Sequence, residues 1–282
     1  MKIIPCYLYG VNSVPEVGDG SLFHYTKFES LIKILETMTL RSSPLSKMND
    51  LNEADLSGLD WSKDFLQMFH AQEYVRTQCS VISFTQNYEV DFICREGANH
   101  PAMWAHYAEN SEGACIVLDK TALIENNLNR FRNVFYKLEE VEYTCDHSPR
   151  AEVTQGDCTT ASDFVHLNYR ELFFKKDIDW KSEGEVRLLV ESPEWYLDIM
   201  DSVKYIVLGN RLIGNTSRMQ ELVSLIYSSD VLKDYFSPHS FATVLSSQGG
   251  YFIHDASHHV VQCLKELNEA SGKQFNSKSH ED

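Results

Sequence analysis

Three strand-like segments of this chain carry polar side chains where a strand facing a core would carry apolar ones. They are Ser21-Leu22-Phe23-His24-Tyr25-Thr26, Val81-Ile82-Ser83-Phe84-Thr85 and Glu183-Gly184-Glu185-Val186-Arg187. A buried polar group costs free energy unless it is paired. Three such segments therefore favour a fold in which these strands border one common cleft.

The composition is that of an ordered protein with a substantial core. The chain has 282 residues, of which 43% are hydrophobic and 12% aromatic. Predicted strands and helices intermix without a regular β-α-β alternation, which favours an α+β fold. We expect one main domain over residues 1–230. Residues 231–282 are expected to form a C-terminal strand and helix extension with a polar tail, packed on the same domain.

The net charge and the cysteines indicate which binding partners and which cellular compartment to expect. There are 25 basic and 41 acidic residues, a net charge of −16, which argues against an extended nucleic-acid footprint. None of the seven cysteines forms a C-x-x-C pair, so no zinc site is predicted. Thiols within apolar runs and the lack of any membrane-length apolar stretch predict a cytoplasmic protein that does not enter a membrane.

Hydrophobic periodicity outlines the elements. Thr26-Lys27-Phe28-Glu29 has the pattern of a capping box and predicts a helix running to about Leu40, followed by a loop over 41–55. Further helices are predicted over 61–77, 103–109, 163–175, 215–228 and 254–270. Further strands are predicted over 79–85, 114–118, 134–143, 185–190, 203–208 and 241–246.

The chain contains an ordered set of short motifs, which are Phe23-His24-Tyr25-Thr26, Leu45-Ser46-Lys47-Met48-Asn49-Asp50 with Glu53, Ile82-Ser83-Phe84-Thr85, Met103-Trp104-Ala105-His106-Tyr107-Ala108 with Gly113, Trp180-Lys181-Ser182-Glu183-Gly184-Glu185-Val186-Arg187 and Val207-Leu208-Gly209. This set resembles a large, mostly bacterial family, the domain of unknown function 2971. The family name carries no activity.

The order of a histidine strand, an S-x-T strand and an E-x-E strand is similar to the ADP-ribosyltransferase superfamily. That resemblance implies split antiparallel or mixed β-sheets flanked by helices, with NAD bound as substrate in a cleft. It implies that Glu185 holds a ribose hydroxyl and stabilises the cationic transition state. Glu183 would orient or deprotonate the acceptor, and His24 would bind the nicotinamide-side ribose.

The chemistry requires such residues. Breaking the nicotinamide–ribose bond develops oxocarbenium charge, which a fixed carboxylate stabilises more in the transition state than in the ground state. A second carboxylate can act as a general base. The nucleotide-binding residues that we expect are His24, Tyr25, Thr26, Arg41, Asn49, Asp50, Ser83, Thr85, Trp104, Tyr107 and Arg187.

Each of these residues also has a purely structural interpretation. His24 can be a surface histidine at a helix start, and Asn49-Asp50 an Asx turn. Ser83 and Thr85 alternate as in any half-exposed strand, whereas Trp104 and Tyr107 have the spacing of a helix core. The run Glu183 to Arg187 can be a solvated strand face with ion pairs.

The segment His254-Asp255-Ala256-Ser257-His258-His259 offers a competing signal. Two histidines one helical turn apart resemble the H-E-x-x-H pattern of metallopeptidases, but a polar helix face is favoured and no metal is predicted. The predicted function is NAD-dependent ADP-ribosyl transfer to an unknown macromolecular acceptor, in a toxin or phage-defence setting. An NAD glycohydrolase and a non-catalytic nucleotide-binding or sensor module of the same fold remain the alternatives.

Overall fold

The computed structural model describes residues 20–47, 65–90, 93–95, 97–145, 158–247 and 250–270. The strands, in chain order, are β1 Ser21–Thr26, β2 Thr39–Arg41, β3 Ser43–Pro44, β4 Ser80–Thr85, β5 Tyr88–Val90, β6 Ile93–Arg95, β7 Ala114–Asp119, β8 Tyr136–Glu140, β9 Glu142–Thr144, β10 Lys175–Asp177, β11 Glu185–Val190, β12 Tyr196–Asp198, β13 Val203–Leu208, β14 Phe241–Ser247 and β15 Gly250–Asp255. The helices are α1 Phe28–Thr37, α2 Phe65–Gln78, α3 Pro101–His106, α4 Lys120–Phe131, α5 Ala161–Phe173, α6 Asn210–Ile213, α7 Thr216–Ser228, α8 Asp230–Tyr235 and α9 Ser257–Ala270.

The chain divides into two compact units built from interleaved segments. The first contains the described parts of Met1–Met38, Arg95–Asp119 and Val203–Asp282, and the second those of Thr39–Cys94 and Lys120–Ser202. Both units combine strands and helices, which confirms the predicted mixture of α and β structure. Within the described residues every helix is too short or too polar to span a bilayer.

The first unit is built on a mixed sheet. Its strands lie in the order β15-β14-β13-β7-β1, antiparallel except for the parallel pair β13 and β14. Strand β7 is buried along almost its whole length, as expected for its apolar sequence Ala114-Cys115-Ile116-Val117-Leu118. Because β14 and β15 are strands of this sheet, Ala242, Val244 and Ile253 contribute to the core of the unit.

The second unit has an antiparallel sheet in which β11 lies between β4 and β8. Strand β3 pairs with the other edge of β4. Helices α2 and α5 each pack apolar side chains against this sheet, in a cluster that includes Val75, Val81, Phe164, Phe173 and Leu189. All six residues of β11, polar and apolar, are buried, so its charged side chains must find partners inside the protein.

Two expectations about helix α1 and one about the final helix are wrong. Helix α1 ends at Thr37, because Met38 adopts a left-handed conformation (φ 49°) and Leu40 belongs to β2. The capping box does not form at this helix. Thr26 is the last residue of β1, paired with Ala114, and Lys27 is the N-cap without a side-chain hydrogen bond.

The final helix begins at Ser257, and the residues before it form β15. His254 therefore lies on a strand, opposite Thr243 of β14. It does not share a helical turn with His258, so the spacing that suggested a metallopeptidase motif has no geometric basis.

Candidate functional site

The S-x-T and E-x-E motifs lie side by side in the second unit. Strands β4 and β11 pair in a register that places Glu185 opposite Thr85 and Arg187 opposite Ser83. The Thr85 hydroxyl donates a hydrogen bond to the Glu183 carbonyl (2.6 Å), and the Ser83 hydroxyl hydrogen-bonds the Glu185 carboxylate. Two motifs almost a hundred residues apart are thereby joined into one polar cluster.

Glu185 forms a two-point ion pair with Arg187 on the same face of β11. Arg187 donates from Nε to Oε1 and from Nη2 to Oε2, both at 2.9 Å. Its third nitrogen, Nη1, donates to the carbonyl of Phe173 at the end of α5 (2.6 Å). Arg187 is 1% exposed and Glu185 5% exposed. The pair is therefore a fixed, dehydrated feature of the strand.

Lys176 supplies a second cation to this cluster. Its ammonium nitrogen lies 2.6 Å from Oε2 of Glu183 and 3.3 Å from Oε2 of Glu185. The same nitrogen lies 4.7 Å from the centre of the Trp180 ring, within the range of a cation–π contact. The formal charges of the cluster, two lysine or arginine cations and two glutamates, sum to zero.

These partners hold Glu185 ionised. Burial raises the pKa of its carboxyl, but the charges of Arg187 and Lys176 and the hydrogen bonds from Arg187 and Ser83 outweigh that effect and lower the pKa to about 2. Glu185 is thus an anion at any physiological pH. A buried carboxylate of this kind can stabilise positive charge that develops next to it.

Tyr143 completes the cluster from β9. Its hydroxyl oxygen accepts a hydrogen bond from the backbone N–H of Glu185 (2.8 Å), and burial raises its pKa, so the phenol stays protonated. Sequence reasoning missed both Tyr143 and Lys176. Neither belongs to a recognisable motif, and their short strands β9 and β10 become informative only when they pair, with Lys176 beside Tyr143.

The other predicted residues are distributed differently. His24, Tyr25, Thr26, Trp104 and Tyr107 belong to the first unit. His24 is half-buried on β1, and Thr26 is buried at the end of the same strand.

Trp104 is a core residue of the first unit. It is 1% exposed, its indole N–H donates to the carbonyl of Ala98 (2.8 Å), and its ring meets that of Tyr25 edge to face. Tyr25 itself donates to the carbonyl of Gly97 (2.6 Å). The half-buried Tyr107 packs against the same core cluster, so the helix-core interpretation accounts for both positions.

The remaining candidates lie outside the cluster. Arg41 belongs to the second unit, where its exposed guanidinium pairs with Glu194 (2.7 Å). Asn49 and Asp50 lie outside the described residues. Among the described residues, no three histidine, cysteine or acidic side chains are arranged to hold a metal ion.

Comparison with known proteins relates part of the chain to a family. Residues 103–188 match a family described as "Protein of unknown function (DUF2971)". The matched range includes Trp104, Glu183, Glu185 and Arg187, and it supports the resemblance to the domain of unknown function 2971 over this part of the chain. No curated protein and no solved structure matches the chain.

Proposed function

We propose that this protein binds NAD and transfers its ADP-ribose to an acceptor, on an ADP-ribosyltransferase-like split-sheet fold. The observation that carries the proposal is the pairing of the S-x-T and E-x-E strands. This pairing brings Ser83, Thr85 and Glu183 next to Glu185, whose carboxylate stays ionised. The reaction would break the bond between nicotinamide and C1′ of the ribose, and the acceptor nucleophile would form the new bond to C1′.

In this proposal Glu185 stabilises the oxocarbenium-like transition state, and Arg187 orients its carboxylate. Glu183 takes the proton of the acceptor once Lys176 no longer holds its oxygen. The ribose contact that the resemblance implies for His24, and the nucleotide contacts expected of Tyr107 and Arg41, remain predictions. So do the macromolecular acceptor, the phage-defence setting and the cytoplasmic location.

One observation favours a second candidate, a nucleotide-binding module that does not turn its ligand over. A carboxylate offers about four lone-pair positions. Glu185 already receives two N–H donors from Arg187, one ammonium donor from Lys176 and the Ser83 hydroxyl. If all four contacts persist when NAD is bound, no position on Glu185 remains for a ribose hydroxyl, so Glu185 supports the fold and the protein binds the nucleotide without turning it over.

The deciding experiment measures nicotinamide release from NAD by the wild type and by Glu185→Gln, with and without cell lysate. We expect the variant to lose at least about 100-fold in rate, because a preorganised charge aimed at the transition state contributes that much. Glu266→Gln is the matched control, since it makes the same change in an exposed carboxylate of α9 whose partner, Gln262, is also exposed. All variants are compared below their melting temperatures.

NAD labelled in the adenosine part then distinguishes the outcomes. Label on a macromolecule identifies a transferase, and free ADP-ribose identifies the glycohydrolase. Binding of NAD without nicotinamide release, in both wild type and Glu185→Gln, supports the binding module and contradicts catalysis. Absence of both binding and release contradicts both candidates.

A further inference from the structure

The ammonium group of Lys176 is enclosed as a bound cation would be. Two carboxylates contact it, at 2.6 Å from Glu183 and 3.3 Å from Glu185. The face of Trp180 covers it at 4.7 Å, and the lysine side chain is only 6% exposed. Carboxylates combined with an aromatic face are the groups with which proteins recognise organic cations.

The two cations of the cluster are attached very differently. Arg187 makes three hydrogen bonds at 2.9 Å or less and lies on β11, which has a strand on each side. Lys176 lies on β10, a strand of three residues that pairs with β9. Its flexible stem carries a point charge, whereas the guanidinium is held as a rigid fork. Lys176 is therefore the cation that can leave.

We propose that Lys176 decides whether the E-x-E carboxylates accept a cationic ligand. In the resting protein its ammonium group occupies the position of the ligand's positive charge. A pyridinium cation displaces the ammonium group and then makes the contacts with Trp180, Glu183 and Glu185. The choice of pyridinium, the charged ring at the nicotinamide end of NAD, rests on the proposed function. Lys176 is thus a specificity-determining residue that closes the resting site.

The charge balance supports this assignment. With Lys176 in place, two cations and two carboxylates cancel. Without its charge, Glu183, Glu185 and Arg187 carry a net −1 in a buried space, where an uncompensated charge is strongly unfavourable. An incoming cation restores neutrality and a neutral molecule of the same shape does not. If Lys176 has this role, removing its charge should increase the affinity for a cation and not for a neutral molecule of the same shape. A purely structural role predicts no such difference.

The test compares the binding of 1-methylnicotinamide, a pyridinium cation, with that of neutral nicotinamide by titration calorimetry. Lys176→Met keeps the length and apolar stem of the side chain and removes the charge. We expect it to bind the cation about tenfold more tightly than the wild type, equivalent to about 1.4 kcal/mol, with nicotinamide binding unchanged. Lys175→Met is the matched control, because Lys175 pairs with Glu171 (2.7 Å), outside the cluster; it should bind like the wild type.

Two results would overturn the proposal. One is Lys176→Met binding the cation no more tightly than the wild type. The other is an equal gain in the affinity of Lys176→Met for neutral nicotinamide, which would show that the substitution only enlarges the site.

A second measurement uses the wild type alone, in case loss of the lysine charge prevents folding. Acylation of lysines, read by mass spectrometry, should show Lys176 protected at rest and labelled when 1-methylnicotinamide is added, with Lys175 unchanged. Protection of Lys176 that persists at the highest cation concentration contradicts the proposal. Neither measurement depends on turnover, so failure of ADP-ribosyl transfer and failure of the Lys176 displacement are told apart.

Discussion

Gly209 and Gly214 are the two cap residues of helix α6, and only the first has no room for a side chain. A Cβ atom on Gly209 would lie 2.1 Å from the carbonyl oxygen of Ser111, whereas a Cβ on Gly214 would have no neighbour closer than 3.6 Å. The approach at Gly209 is a backbone contact. Ser111 has a left-handed conformation (φ 68°), and the Gly209 N–H donates to the carbonyl of Gly113 (3.0 Å).

At the residue scale we therefore expect Gly209→Ala to destabilise the protein and Gly214→Ala to be tolerated. Forcing a methyl group against backbone should lower the free energy of unfolding by about 2–3 kcal/mol. Gly214 has helical dihedrals (φ −73°, ψ −9°), so alanine there should change stability by less than about 1 kcal/mol, in the stabilising direction. Urea unfolding of the two variants measures the difference. Equal losses for both would contradict the contact between Gly209 and Ser111.

The same scale shows why the cluster residues were only partly predictable. Glu185, Ser83 and Thr85 stood out because their polarity conflicted with the apolar character of their strands. Glu183 stood out with them, although it ends a 3-10 helix just before β11. Lys176 and Tyr143 carried no such signal, since Lys175-Lys176-Asp177 is what a solvated turn would contain. Their position beside each other follows from pairing between β9 and β10, a contact that no local pattern encodes.

At the element scale, the helix caps show how local signals compete with sheet pairing. The predicted capping residue Thr26 is the last residue of strand β1, and helix α1 has no side-chain cap. Helices α5 and α7 do have side-chain caps, formed by residues that commonly cap helices. Thr160 and Asp163 make a reciprocal capping box at α5, and Asn215 accepts a hydrogen bond from the Arg218 N–H at α7.

We expect Asn215→Ala to destabilise the first unit by about 1 kcal/mol, the usual loss for an N-cap whose side chain bonds the first turn. The effect should be cooperative, because α7 buries Met219, Leu222, Val223 and Ile226. Thr216→Ala, at the next and exposed position, is the control and should stay within about 0.5 kcal/mol of the wild type. Guanidinium unfolding curves of the pair measure both effects, and a similar loss in the control would exclude the cap as the cause.

Periodicity predicted α5, α7, β11 and β13 within two residues at each end. It failed for the 12-residue helix α4, which follows β7 directly and carries a polar Asn127 at a buried position between Leu123 and Phe131. It also failed for β15, whose residues were merged with α9. Short polar elements gain their stability from neighbours, and a single sequence does not display those neighbours.

At the scale of the whole molecule, each unit is built from distant segments of the chain, and this determines which segments can be deleted without unfolding a unit. The first unit takes its sheet from β1, β7, β13, β14 and β15, which span the chain from Ser21 to Asp255. Val244 and Ile253, from the last two strands, are buried with Phe23, Val117 and Tyr205 in one core. The C-terminal strands are thus integral to the unit.

A chain that ends at residue 230 is therefore expected to lose cooperative folding of the first unit. Strand β13 would lose its parallel partner β14, and the core would lose Ala242, Val244 and Ile253, each of which contributes apolar burial. Hydrogen exchange should show β1 and β7 unprotected in the truncated chain, with thermal melting as the second readout. Wild-type protection in those strands would mean that residues 231–282 are a dispensable extension.

The sequence by itself determined the mixed α/β character, most of the long elements and the polar residues of the S-x-T and E-x-E strands. It did so because hydrophobic periodicity and polar interruptions are local properties, readable over a few residues. The tertiary structure alone decided that Glu185 is paired with Arg187, that Lys176 and Trp180 enclose the cluster, and that Trp104 is core. These outcomes depend on strand register and on contacts between distant segments, where burial and charge pairing are settled together.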